Sequence, residues 1–293
     1  MKKIALVYNP VSGAGTFKKR LDYYIDAFQR RGMLLIPYRT QKDSYKDFYD
    51  FMDAVSPEGI IAAGGDGTLS EVVNLMMAQK NKLPIGIIGS GTSNDFASYL
   101  RINEDLENYF DAIYDGKTRL VDLGYADGRY FINVASAGIL TSVAHEVAPR
   151  LKNSLGKMAY YLKGLGEIPK FRSIPLHIEA NGKSYDEEVF LFVVINSATV
   201  GSMKNVGTNV KIDDGKLDFL AVKKCSVRDF MKLFKDLVRG KPITGKKGAI
   251  HISSEEFFVS STEDVKSDLD GEAGPNLPLK IKTVHNAISV YTI

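Results

Sequence analysis

The chain has 293 residues, 44% hydrophobic and 25% charged, with a formal net charge of +3. That length is comfortable for two domains, the composition is that of an ordinary globular protein, and the charge is too mild to argue for nucleic acid. The single Cys225 excludes an internal disulfide framework and a cysteine-based zinc site, and His145, His177, His251 and His285 lack ligand spacing.

In chain order, Ile4-Ala5-Leu6-Val7-Tyr8 reads as a strand running into the loop Asn9-Pro10-Val11-Ser12-Gly13. This apolar run is too short for a signal peptide, and no stretch approaches the roughly 20 apolar residues that span a bilayer. The chain is therefore expected to be cytoplasmic, with any lipid contact peripheral. Phe17, Leu21, Tyr24, Ile25 and Phe28 share one face of a predicted helix, and a strand at 34–38 ends just before Thr40. A helix bearing Phe48, Phe51, Met52 and Val55 follows. The strand Gly59 to Ala63 ends in Gly64-Gly65-Asp66-Gly67-Thr68, and Leu69, Val72, Val73 and Met76 fall on one face of the next helix. Pro84 to Ile88 is another strand, ending in Gly89-Ser90-Gly91-Thr92-Ser93-Asn94-Asp95-Phe96-Ala97. This alternation predicts a Rossmann-like α/β domain with a parallel sheet, in which ligands bind beyond the carboxyl ends of the strands. All three glycine-bearing loops sit at such ends.

Beyond about residue 125 strands become frequent. Pro175 to Ala180 and Val189 to Ile195 flank Asn181-Gly182, a hairpin signal that a slightly longer loop could also contain. Further short strands are expected near 217–222, 249–252, 256–260, 279–282 and 287–292. Helices are expected near 154–166 and 226–239, the latter with Val227, Phe230, Met231, Phe234, Leu237 and Val238 on its apolar side. The pattern predicts a mostly antiparallel β-sandwich domain over 126–283, after a nucleotide-binding domain over 1–125.

The chemistry is concentrated in the loops. A strand, a glycine-rich turn and a helix start make a phosphate cradle: glycines let the backbone approach, and the first helical N–H groups favour an anion. A carboxylate inside it, Asp66, is repulsive to phosphate unless a cation lies between, which points to a magnesium–nucleotide site. The competing reading is a helix-capping Asp. Asn9 to Gly13 and Gly64 to Thr68 supply small residues and backbone donors, and Thr92 a hydroxyl. Asp95 and Asp122 fall at or near the ends of predicted strands, as a helix cap and a turn residue or as water-mediated magnesium ligands. Gly240 to Lys247 nearly spells a P-loop, but Lys247 stands where Ser or Thr should be and a helix, not a strand, precedes it, so it reads as a solvated basic loop.

The three loops in this order, followed by Val121-Asp122-Leu123-Gly124, Leu155 to Tyr160, Asp213-Asp214-Gly215-Lys216-Leu217-Asp218 and Asp270-Gly271-Glu272, resemble the bacterial soluble lipid kinases of the diacylglycerol kinase type. Their parent superfamily also holds NAD kinases and sphingosine kinases. The resemblance covers nearly the whole chain. It implies ATP and Mg2+ as cofactors, with ATP held by Thr40, Gly65, Asp66, Gly67, Thr68 and Thr92, beside the cradle residues Asn9, Pro10, Ser12, Gly13 and Gly64. It implies Glu272 as the base that accepts the hydroxyl proton of a membrane lipid. It implies a structural magnesium on Asp214 and the backbone carbonyls of Lys211 and Lys216, where the residues alone read as a plain Asp-Gly turn before a strand. It also implies that the final strand, about 284–293, returns to the first domain.

Where many relatives carry a glycine-rich run, this chain has Ala198 to Asn205, which weakens transfer of substrate contacts in the second domain. Between Arg150 and Arg172 basic residues interleave with Met158, Tyr160, Tyr161 and Leu162, either as a membrane-facing surface or as a helix packed with its lysines in water. The expected function is ATP-dependent phosphorylation of a membrane lipid such as diacylglycerol. The alternatives are an NAD kinase-like enzyme and a non-catalytic nucleotide-binding regulator. Peripheral membrane contact is expected, nucleic acid is not, and a homodimer is one state open to the chain.

Overall fold

A computed structural model of the protein describes residues 1–41, 45, 47–91, 93–138 and 172–293. Thr92, the helix expected at 154–166 and the basic residues Lys152, Lys157, Lys163 and Lys170 lie outside the described residues. The chain divides into two units, Met1–Val121 with Asn286–Ile293, and Asp122–His285.

In the first unit, β1 (Lys2–Tyr8) lies between β2 (Met33–Arg39) and β3 (Gly59–Gly64), and β4 (Ile85–Gly89) pairs with β3, all in parallel. Ile4, Ala5, Leu6 and Val7 are fully buried, as are Ile60, Ile61 and Ala63. Near-continuous apolar runs are what a parallel sheet covered on both faces requires. The cover comes from α2 (Leu21–Gln29), α3 (Phe48–Val55), α4 (Asp66–Met77) and α6 (Leu106–Asp115). The short α1 (Thr16–Lys19) and α5 (Asp95–Tyr99) complete the unit.

The single helix expected over Phe17 to Phe28 is broken at Arg20, between α1 and α2. Phe17 stacks on Tyr24 at 5.1 Å between ring centroids. Residues seven apart in a straight helix are separated by about 10.5 Å along its axis, so the break brings these buried rings together. Helix α6 is an element beyond those expected from the sequence: Asp105 caps it by accepting from Asn108 N, and Gly116 ends it with φ 73°.

The second unit is an antiparallel sandwich. Its strands include β7 (Val134–Gly138), β8 (Ile174–Ala180), β9 (Lys183–Ile195), β10 (Leu217–Lys223), β11 (Ala249–Ser254) and β12 (Glu256–Ser261). They are joined by β13 (Lys266–Leu269), β14 (Glu272–Asn276) and β15 (Leu279–Tyr291). The long β5 (Thr118–Ala126), which begins in the first unit, forms a hairpin with β6 (Arg129–Phe131). Asn181 and Gly182 both have positive φ, 52° and 69°, so β8 and β9 are joined by a two-residue turn with Ala180 opposite Lys183. Alternation along β9 and β10 buries both faces: Phe192 and Phe219 stack in one core cluster, whereas Ile195 and Leu220 join another. The second cluster includes α7 (Val227–Val238), and Phe190 meets its Phe230 edge-on at 5.7 Å.

Two expectations are corrected here. The strands near 279–282 and 287–292 are one 13-residue strand, β15, whose Leu279 pairs with Val259 and whose Val290 pairs in parallel with Ile85. On α7 the packed stripe is Phe230, Leu233, Phe234 and Leu237, at i, i+3, i+4 and i+7. Met231 and Val238 stand off that stripe and are 37% and 39% exposed.

Candidate active site

The first unit brings three loops together at the carboxyl ends of β1, β3 and β4. Asn9 N donates to Ala63 O at 3.0 Å, and Asn9 Oδ1 accepts from Val11 N at 3.1 Å, which folds the first loop back on itself. Ser90 N donates to Gly64 O at 2.8 Å. A Cβ on Gly91 would lie 2.5 Å from Gly65 Cα, and one on Gly65 would lie 3.3 Å from Gly91 Cα and 3.6 Å from Ser12 Oγ. Ser12, Gly65 and Gly91 therefore converge, with no room for a side chain at Gly91 and little at Gly65. Asn94 clamps the third loop: its Oδ1 accepts from Gly91 N at 2.7 Å and its Nδ2 donates to Gly91 O at 2.9 Å.

Asp66 is the first residue of α4 and is half-buried; Gly65 precedes it as an extended cap residue with no side-chain bond. Pro10 belongs to the first loop, and Gly67 is the second residue of α4. Thr68 is buried, and its hydroxyl occupies the place a Cβ on Gly64 would take, so its side chain shapes the loop and its first-turn N–H is what it can offer an anion. Thr40 is buried past the end of β2, its N–H bonded to Tyr8 O at 3.0 Å. Asp95 is buried in the first turn of α5. Sequence reasoning did not assign Gly91, Asn94 or the Tyr45–Glu71 pair. In that pair the phenol donates to the carboxylate, and burial first, then the carboxylate, pushes the phenol pKa up. The Gly89 to Asn94 run was the signal for the first two; the pair had none.

This geometry gives a direct check. Gly91→Ala should cost about 1–3 kcal/mol of stability, the usual range for overpacking. A thermal melt that matches the parent would show that the loops do not meet as described.

In the second unit, Asp122 is fully buried in the middle of β5 rather than at a strand end. Its Oδ2 accepts from Gly215 N at 2.6 Å, and its Oδ1 is 2.8 Å from His285 Nδ1. Its Oδ2 thus holds the turn and its Oδ1 meets His285, an anchoring role that stands beside the expected water-mediated magnesium role. Within the turn, Asp214 Oδ1 accepts from Lys216 N at 3.1 Å. Burial pushes the Asp214 carboxyl above its usual range; the Lys216 N–H opposes this, and the charges of Asp218 and Asp122 reinforce it. Asp218 is itself buried, with Oδ1 2.6 Å from His251 Nε2. Among the described residues no group of three or more His, Cys, Asp or Glu side chains is placed to hold a metal. A site made of Asp214 with the Lys211 and Lys216 carbonyls needs only one such side chain, and converging negative charge suits a hard cation.

Glu272 opens β14, exposed, after Asp270 and Gly271 with φ 52° and 91°. Asp270 is buried, and its carboxylate accepts from Ile132 N, Asn133 N and Val134 N at 2.8, 3.0 and 2.9 Å. Asp268 Oδ1 accepts from Gly271 N at 2.7 Å. The backbone that leads into Glu272 is thus pinned by two carboxylates whose role the sequence did not disclose.

The diacylglycerol kinase catalytic domain family matches residues 3–126, and the YegS C-terminal NAD kinase beta sandwich-like domain family matches residues 133–292. A diacylglycerol kinase of Bacillus subtilis (strain 168) is 34% identical over 99% of this chain and 96% of its own length. One of Staphylococcus epidermidis is 32% identical over 99% and 92%. A crystal structure from Bacillus anthracis str. Sterne, assigned to the diacylglycerol kinases, matches with a TM-score of 0.83 at 26% identity, covering 100% of this chain and 95% of that one. With cradle loops, acidic turn and sandwich present in one chain at such coverage, the protein belongs to the diacylglycerol kinase family of lipid kinases.

Proposed function

We propose that the protein is an ATP- and magnesium-dependent kinase that phosphorylates a hydroxyl of a membrane lipid such as diacylglycerol. The observation that carries this is the convergence of Ser12, Gly65 and Gly91 around the start of α4, with Asp66 as its first residue. A triphosphate suits this place: side chains are absent where the backbones meet, and N–H groups at a helix start favour anions. Asn9, Pro10, Ser12, Gly13, Gly64, Gly67 and Thr68 would line the phosphates, with Thr40 and Thr92 adding polar groups. Asp66 would hold magnesium, which when bound neutralises phosphate charge; Asp95 would act on it through water. Glu272 would accept the proton of the attacking lipid hydroxyl, within hydrogen-bond reach of it. The lipid implies peripheral contact with a membrane on the cytoplasmic side; no helix of the described residues is long and apolar enough to cross one.

The test offers labelled ATP with diacylglycerol vesicles, with NAD, and alone. Label in the organic phase supports the reading. Label on NAD alone would make it an NAD kinase-like enzyme, and nucleotide binding without transfer to either would make it a regulator.

We further propose that Asp214, with the Lys211 and Lys216 carbonyls, holds a structural magnesium. Because its folded carboxyl pKa is raised, the metal-free protein loses stability as pH rises from the usual carboxylate range through the raised value. Magnesium binding the ionised form should offset that loss, so the magnesium-induced rise in melting temperature should be larger at neutral pH than near pH ~4, about the free carboxyl value. Asp214→Ala should abolish this extra response. An equal magnesium response in both proteins would leave Asp214 as a turn residue.

A further inference from the structure

Helix α7 carries more than its packed stripe. Arg228, Lys232, Lys235 and Arg239 are all exposed and follow one another at i, i+4, i+7 and i+11. At 3.6 residues per turn they fall within an arc of roughly 60° and run about 16 Å along the helix. Met231 and Val238, the exposed apolar residues already noted, flank this stripe on one side. The acids lie on the other side and are already engaged: Asp236 pairs with Lys246 at 2.6 Å, and Asp229 accepts from Ser226 Oγ at 2.7 Å. Arg228, Lys232 and Lys235 line an open concavity with Met231 and Val238, and Asp229 reaches its edge beside Ser226. Exposed Lys241 and Lys247 of the P-loop-like segment follow directly in sequence.

We infer that this face of α7 docks on an anionic lipid surface. The inference rests on the proposed lipid-kinase reading for its purpose, but the chemistry is that of the face itself. Basic side chains meet anionic headgroups, while an adjoining apolar flank enters the headgroup–acyl boundary. A nucleic acid would satisfy the charges but leave Met231 and Val238 without a partner. The helix is anchored independently of these residues: Ser226 Oγ accepts from Asp229 N at its start, and Phe230, Leu233 and Phe234 hold it to the core. The stripe can therefore be altered without removing what folds it.

The experiment uses the full chain and vesicles of equal parts phosphatidylglycerol and phosphatidylcholine, with pure phosphatidylcholine vesicles, duplex DNA and polyglutamate alongside. Co-sedimentation should show binding to the anionic vesicles that weakens with salt, since exposed charges are screened over about 10 Å at 0.1 M. Replacing Arg228, Lys232, Lys235 and Arg239 together by Gln should weaken it at least about tenfold, each basic residue near such a surface contributing roughly a fivefold factor. The melting curve and turnover of dispersed short-chain lipid should stay as in the parent. Met231→Gln with Val238→Gln should weaken vesicle binding while leaving its salt dependence unchanged. Unchanged vesicle binding in the Gln variant overturns the inference, as does equal binding of the parent to DNA or polyglutamate. If the parent binds vesicles through these residues but phosphorylates no lipid, the docking face stands and the proposed function falls.

Discussion

Asp66→Ala is expected to lower kcat/KM for ATP by about three orders of magnitude, the scale of removing a main electrostatic support from a developing charge. The expectation follows from position. Asp66 begins α4 beside the place where Ser12, Gly65 and Gly91 converge, and a carboxylate there is tolerated beside phosphate only through a cation. The fold should barely notice. The residue is half-buried, and its interaction with the helix dipole is worth only about 0.3–1 kcal/mol. The checks are steady-state kinetics over a magnesium series together with a thermal melt. Asp66→Asn serves as the control of equal shape: it should also be inactive, because the lost property is charge. A well-folded Ala variant within about tenfold of the parent, a difference of only ~1.4 kcal/mol, would remove Asp66 from the metal site.

Glu272→Gln is expected to lower kcat by about 10²–10⁴-fold, the contribution of a general base, while leaving the KM for ATP nearly unchanged. Gln keeps the shape and can no longer accept the proton of the lipid hydroxyl. The side chain is exposed on a backbone held by Asp268 and Asp270, so the substitution leaves that backbone support in place. The informative measurement is the split between kcat and the two Michaelis constants. If the KM for ATP rises steeply while kcat survives, Glu272 serves the nucleotide instead and the base lies elsewhere.

The cradle loops were legible because their signals are local. Strands such as Ile4 to Tyr8 and Gly59 to Ala63 declare themselves as apolar runs, and the glycines that follow mark close backbone approach. Alternation with helical periods then implies a parallel sheet, which places the carboxyl ends of β1, β3 and β4 on one edge. The Asn181-Gly182 turn was readable for the same reason, since its two positive φ angles are a preference of those two residues. Local pattern alone also produced the errors. Arg20 looks like the middle of a helix until the stacking of Phe17 on Tyr24 requires a break. Asp122 looks like the end of a strand until β5 continues to Ala126 to pair with β6.

By itself, then, the sequence determined the strands that lead into the cradle loops, where glycine lets backbones approach, and which chemistry the loops can carry. Tertiary structure decided the partner of each buried carboxylate. Asp122 is held by Gly215, 93 positions away, and by His285, 163 away. Asp270 is held by N–H groups 136 to 138 positions earlier. Backbone preference is a property of near neighbours, whereas a buried charge is satisfied by whichever donors the fold delivers to it. That is why Asp66 could be singled out from its own loop, and why the anchoring role of Asp270 could not.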